Sequence, residues 1–153
     1  YIKAFIGAGI DSRIIALYDN DAAAQNEILN FEGVEIPPNI RILHLPEIEL
    51  ANDYPTIGPF SNQTANINGL ACSIELFLGE DILRNDNGEI VPVIWKGFID
   101  RINAYQGEIA HKHIVQQRFF ELLDQIQKGV VSLEDHDWTS MKKLLNMIFD
   151  AFN

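Results

Sequence analysis

Asp19 and Asp21 close an apolar run, Arg13 to Tyr18, and are followed at once by Ala22, Ala23 and Ala24 in "RIIALYDNDAAA". Residues two apart on a strand project to the same side, so both carboxylates can converge on one point at the strand's C-terminal end. Two like charges held that close repel, and a divalent cation relieves the repulsion. Mg²⁺, or Mn²⁺ in its place, suits such a pair because it takes oxygen ligands and keeps waters and a phosphate oxygen in its shell. Open α/β sheets bind their ligands beyond the C-terminal strand ends, which is where this pair falls. The competing reading is structural: Asp21 caps the helix that follows, and Asp19 is a solvated turn residue.

The elements around the pair follow from spacing. Ile2, Phe5 and Ile6 repeat at helical intervals up to Gly7 and Gly9, which reads as the last turns of a helix begun upstream. The chain opens on Tyr1, so a fragment of a longer protein is expected. Arg13 to Tyr18 has the unbroken apolar pattern of a strand buried on both faces, as in parallel sheets. Asp21 to Asn30 reads as a helix, Gly33, Pro37 and Pro38 break it, and Ile40 to Leu45 is a second strand ended by Pro46. Strand, helix and strand with short links predict a βαβ unit and a parallel α/β sheet.

Leu45 to Gln63, rich in Pro, Gly, Asn and acids, reads as a long excursion of the kind that is often functional. Leu70, Ile74, Phe77 and Leu78 predict a helix capped by Asn66 or Asn68 and stopped by Gly79, with Cys72 on its apolar side. Asn87-Gly88 signals a hairpin turn, and Ile90 to Trp95 is a short strand that Pro92 assigns to an edge. The final third is read as helical, with Val115, Phe119, Leu122 and Ile126 on one face and Trp138, Met141, Leu145, Ile148 and Phe152 on another. Lys128-Gly129 divides these two helices, and Ser132 with Asp135 or Asp137 caps the second.

A chain of 153 residues, 47% hydrophobic and with six prolines, can bury one ordinary core. Its formal charge of −11 argues against gripping nucleic acid by bulk electrostatics, so any such chemistry has to be local and metal-bridged. The one cysteine rules out an internal disulfide and fits a reducing compartment. With no apolar stretch of membrane-spanning length, a cytoplasmic protein is expected.

The stretch "AGIDSRIIALYDNDAAA" resembles the Asp-x-Asp segment of the TOPRIM domain, the catalytic module of topoisomerases, bacterial-type primases and OLD-type nucleases. With "LPEIELANDYPTIGP", "NINGLACSIELFLG", "PVIWKGF" and "YQGEIAHK", roughly the first 120 residues resemble the TOPRIM-containing part of bacterial HEPN/Toprim-associated proteins. The resemblance implies a Rossmann-like parallel-sheet α/β domain over residues 1–99, followed by a helical extension over 100–153. It implies Mg²⁺-dependent phosphoryl transfer on nucleic acid, DNA ahead of RNA, in a nuclease of a bacterial, defence-related protein. Asp19 and Asp21 would hold the metal, and a glutamate on an earlier strand would act with them as general acid or base. Tyr1 to Ser12 contain no glutamate, so that residue is expected upstream and the fragment is expected to be inactive without the rest of the parent chain. A further downstream acid occurs in some members; Glu75 is the candidate here, against its reading as a solvated helix residue.

Lys112 could contact phosphate as a point charge or be a plain surface lysine. Glu47 and Glu49 could reach the same sheet edge. His111 and His113 would splay apart on a helix, which disfavours a metal pair. His44 and Tyr18 read as packing residues. Two other readings compete. Haloacid dehalogenase-like phosphatases share the strand and Asp-x-Asp but carry Thr two residues beyond the second aspartate, where this chain has Ala23. A non-catalytic interaction module would instead use the two C-terminal amphipathic helices to bind a partner.

Overall fold

The computed structural model describes residues 2–58 and 63–153. Helix α1 (Ile2–Gly7) ends where Gly9 takes a positive φ, and strand β1 (Ile14–Tyr18) follows after a short link. The Asn39 side-chain amide donates to the carbonyls of Ile10 and Ser12, at 2.6 and 3.0 Å, and ties that link to the start of the next strand. Strand β2 (Asn20–Asp21) leads straight into helix α2 (Ala22–Ile28), which tightens into a 3-10 turn over Leu29–Phe31. Strand β3 (Ile40–His44) then runs parallel to β1 in register, Ile14 opposite Ile40 through Tyr18 opposite His44. The expected βαβ unit is therefore present.

That unit is not the centre of the molecule. Strand β1 pairs with β3 alone among the described residues, and Leu17 is 38% exposed, so β1 is half-covered and not buried on both faces. The larger sheet has four strands in the order β5-β4-β7-β8, formed by β4 (Tyr54–Ile57), β5 (Gln63–Ala65), β7 (Val93–Ile99) and β8 (Ala104–Ile109). Its β4–β7 pair is parallel and its other two pairs are antiparallel. A third, two-stranded element joins β2 to β6 (Ala71–Cys72) antiparallel. The fold is thus mixed α/β, built from small sheets that include parallel pairs.

The excursion after Leu45 is structured: Glu49–Asp53 make a 3-10 turn, and β4 alternates buried Tyr54 and Thr56 with outward Pro55 and Ile57. Its residues 59–62 lie outside the described ones. The helix expected from Leu70 is replaced by β6 and a 3-10 turn over Ile74–Phe77, because Ala71 and Cys72 give their backbone groups to Asp21 and Asn20. Asn68, no cap, instead bridges Ile48 and Asn52 through its side chain. Strand β7 starts after Pro92, three residues later than expected, and lies inside the sheet and not at its edge. The Pro92 carbonyl still accepts from Ala110 N at 2.8 Å.

The helical stretch expected from residue 100 begins only at Lys112, since Ala104–Ile109 are strand β8. Helices α3 (Lys112–Gln127) and α4 (Thr139–Phe149) cover one side of the core. Val115 and Leu144 from these helices join Tyr54, Phe77, Leu83 and Val93 in one buried cluster. On α4 the inward residue is Leu144, while Leu145 is 40% exposed. Ser132 caps a 3-10 turn over Leu133–Asp135, and Asp137 accepts from Thr139 N at the start of α4.

Candidate metal centre

The two aspartates sit where β1 hands over to α2, with β1 ending at Tyr18 and Asp21 already paired to Ala71 of β6. They do not share one continuous strand. Asp21 is extended, with φ −131° and ψ 170°, and its Oδ1 accepts from Ala24 N at 2.6 Å. It therefore does cap α2. Ala22 is fully buried and its N–H donates to Leu70 O at 3.1 Å, which fixes the helix start against the segment before β6.

Asp19 is partly buried in the link between β1 and β2. Burial, above all, raises its carboxyl above the ordinary value, and the charges of Asp21 and Glu75 push the same way. The charge of Lys112 and the Ile74 backbone N–H oppose that rise without cancelling it. Both aspartates line a cleft of about 240 Å³, walled by Ala23, Ser73, Lys96, Gln106, Gly107, Glu108 and Lys112. Gly107 lets β8 close against its neighbours, since a Cβ there would stand 2.6 Å from Val93 Cγ1 and 2.9 Å from Ala71 Cβ.

Glu75 is the largest departure from expectation, for it is fully buried. Ser73 Oγ donates to its Oε2 at 2.7 Å and Gln116 Nε2 to its Oε1 at 2.8 Å, while Lys112 Nζ stands 3.2 Å from Oε2. Burial, the largest influence, pushes this carboxyl up. The hydrogen bonds from Ser73, Gln116 and its own backbone, with the Lys112 charge, outweigh burial and hold it below the ordinary value. Glu75 is thus an ionised anchor that draws Lys112 toward the aspartates. Sequence spacing had no way to join positions 75, 112 and 116, nor the Lys96–Glu108 ion pair at 3.5 Å across the β7–β8 hairpin.

The other candidates fall elsewhere. Glu49 lines a groove against α4, and the Glu47 carbonyl accepts from Lys143 Nζ at 2.6 Å. His111 takes a left-handed φ of 52° at the start of α3, and His113 faces a separate hollow with Phe120 and Asp124. His44 Nδ1 stands 3.5 Å from the Asp19 carbonyl, beside the site but outside the cleft wall. Tyr18 lines a different hollow with Ile2, Lys3 and Phe31. Cys72 is core, on β6 and not on a helix. Burial, with the nearby charges of Asp19 and Asp21, pushes its thiol up to about 12, so it stays protonated and is no nucleophile at neutral pH.

Among the described residues no group of three or more His, Cys, Asp and Glu side chains is arranged to hold a metal ion. No helix among them is long and apolar enough to cross a membrane. Comparison of the chain with protein-family models, with curated protein sequences and with solved structures finds no match.

Proposed function

We propose that the acidic cleft is a Mg²⁺ or Mn²⁺ site of TOPRIM type, part of a nuclease that acts on nucleic acid, DNA ahead of RNA. The observation that carries this reading is that Asp19 and Asp21, between β1 and α2 of a parallel βαβ unit, open into one cleft with Lys112 and Lys96. The donor set fits. Mg²⁺ is held by one or two carboxylates with waters and phosphate oxygens filling its shell, so two aspartates suffice where a third ligand is missing. No His or Cys is among the described residues that line the cleft, which disfavours zinc or copper. Asp19 is also a carboxylate whose surroundings penalise its charge, which a bound cation would offset.

In this reading Asp19 and Asp21 hold the ion, and Mg²⁺ when bound polarises a phosphoryl oxygen. Lys112 contacts the phosphate as a point charge, and Glu75, its oxygens met by three protein donors, is a positioning residue for Lys112 and not a metal ligand. A dehalogenase-like phosphatase is disfavoured, since Ala23 forms the cleft wall at the position of that family's Thr and offers no hydroxyl. The test is Mn²⁺ binding followed by electron paramagnetic resonance, with divalent-dependent nuclease activity of the full-length protein. Asp19→Asn with Asp21→Asn should abolish both. Unchanged Mn²⁺ affinity in the double variant, or no affinity in the wild type, overturns the assignment.

One observation favours the interaction module as a second reading: Phe120 on α3 and Val130 and Leu133 after it stand 67, 72 and 57% exposed.

A further inference from the structure

The acidic cleft is lined by two lysines that are tethered in different ways. Lys112 pairs at 3.2 Å with Glu75, whose side chain is 1% exposed and is also met by Ser73 and Gln116. Lys96 pairs at 3.5 Å with Glu108 across the β7–β8 hairpin, and these two side chains are 50 and 56% exposed. Neither has a second side-chain partner among the described residues. An exposed pair of this kind contributes little and exchanges readily, whereas the Glu75 anchor is sealed.

The backbone brings Lys96 to the cleft. Trp95 opposes Gly107 and Gly97 opposes Gln106, so Lys96 is the extra residue of a β-bulge. A bulge breaks the ladder locally and re-aims the side chain it carries. Lys96 lines the cleft with Asp19 and Asp21, and Gln106, Gly107 and Glu108 line it from the facing strand. Asp19, Asp21 and Glu108 are nevertheless not arranged to hold one metal ion together. Glu108 is engaged by Lys96 instead.

We propose that Lys96 is a second phosphate-binding residue of the cleft and that Glu108 holds it in reserve, an incoming nucleic-acid phosphate taking the carboxylate's place on the ammonium. The inference rests on reading the cleft as a phosphodiester site. The exchange puts one anion in place of another on the same cation, and the displaced Glu108, more than half exposed, turns into water. In a chain of formal charge −11 the few cations at the cleft have to supply the phosphate contacts that a broad basic surface would otherwise make.

A plain structural ion pair and a reserve pair differ in sign. The full-length protein is titrated with a short labelled DNA duplex in Ca²⁺, which takes oxygen ligands as Mg²⁺ does, and fluorescence anisotropy is followed at several salt concentrations. Lys96→Gln should weaken binding about fivefold and lower the salt slope by about one, with recovery in Lys96→Arg. Glu108→Gln should tighten binding about two- to fivefold, and that gain should vanish when Lys96→Gln is added. Both side chains are half-exposed, so circular dichroism should show every variant folded. Unchanged affinity in Lys96→Gln, or a loss in Glu108→Gln, overturns the proposal. So does a gain from Glu108→Gln that persists beside Lys96→Gln, because Glu108 then acts only by repelling phosphate. No duplex binding by wild type or by Glu108→Gln overturns it as well. Mn²⁺ binding without these effects overturns the reserve lysine alone and leaves the metal site standing. The opposed effects in a protein that binds no Mn²⁺ support the reserve lysine and overturn the metal reading.

Discussion

Glu75→Gln removes one charge and almost no volume, and its cost can be worked from three partners. Ser73, Gln116 and Lys112 all direct donors at the carboxylate, at 2.7, 2.8 and 3.2 Å. A glutamine keeps one acceptor and can offer its NH₂ only to a partner that turns to accept, as Ser73 or Gln116 can, but the charge that strengthens all three contacts and holds Lys112 is lost. Hydrogen bonds to a charged group contribute about 1.5–3 kcal/mol each. The Lys112 side chain is 38% exposed and can turn into water, so its share is discounted for solvent screening. The expected loss is about 2–3 kcal/mol, below the roughly 3–5 kcal/mol for breaking a sealed ion pair. Urea unfolding reads this as a midpoint about 1 M lower.

The pH dependence supplies a sign. In the fold Glu75 titrates below its ordinary value of 4.5, so its contribution is complete above that value and is lost as pH falls through the folded one. The gap between wild type and variant should be constant from neutrality down to about pH 5 and close in more acid solution. A gap under about 0.5 kcal/mol at pH 7, or one that widens on acidification, refutes the anchor.

Asp19 has the opposite sign: its carboxyl is raised above 3.8, so the ionised form penalises the fold once pH climbs past the folded value. Asp19→Asn should therefore melt higher than wild type in EDTA at pH 7 and fail to gain from Mn²⁺, whereas wild type gains about 2.7 kcal/mol at a hundredfold excess over Kd; thermal melts in each condition decide it, and a lower melting point in EDTA sinks the argument. Gly79 has φ +103°, and a Cβ there would stand 2.4 Å from His136 Cε1, whose ring is held by Leu78 O at 2.8 Å and Asp81 Oδ2 at 3.1 Å. Gly79→Ala should cost about 3 kcal/mol in urea unfolding, and a cost under about 0.5 kcal/mol would show that the His136 contact is not tight.

Local signals were read correctly where they act over a few residues. β1, α2 and β3 lie within a residue or two of their expected ends, and Gly79 and Gly129 stop their elements with positive φ. Asn87-Gly88 turns the chain between bridged Arg84 and Ile90. Misreadings arose where a distant partner took the backbone. The apolar spacing of Leu70 to Leu78 is genuinely helical, but β2 needs a partner and takes Ala71 and Cys72, leaving four residues of 3-10 turn. Pro55 and Pro92 discourage interior strands, yet β4 and β7 pair in parallel beyond them, Thr56 opposite Val93.

By itself the sequence determined that two carboxylates stand at a strand-to-helix junction and that the composition is too acidic for broad electrostatic binding, while it offered the cap by Asp21 only as the alternative to a metal. Those properties follow from neighbours in the chain. Only the tertiary structure decided that Glu75 is buried and charged, and that it draws Lys112 into the cleft of the aspartates. The physical reason is that charge and burial depend on what surrounds a side chain in space: Glu75 meets residues 37 and 41 positions away, a separation at which spacing carries no information.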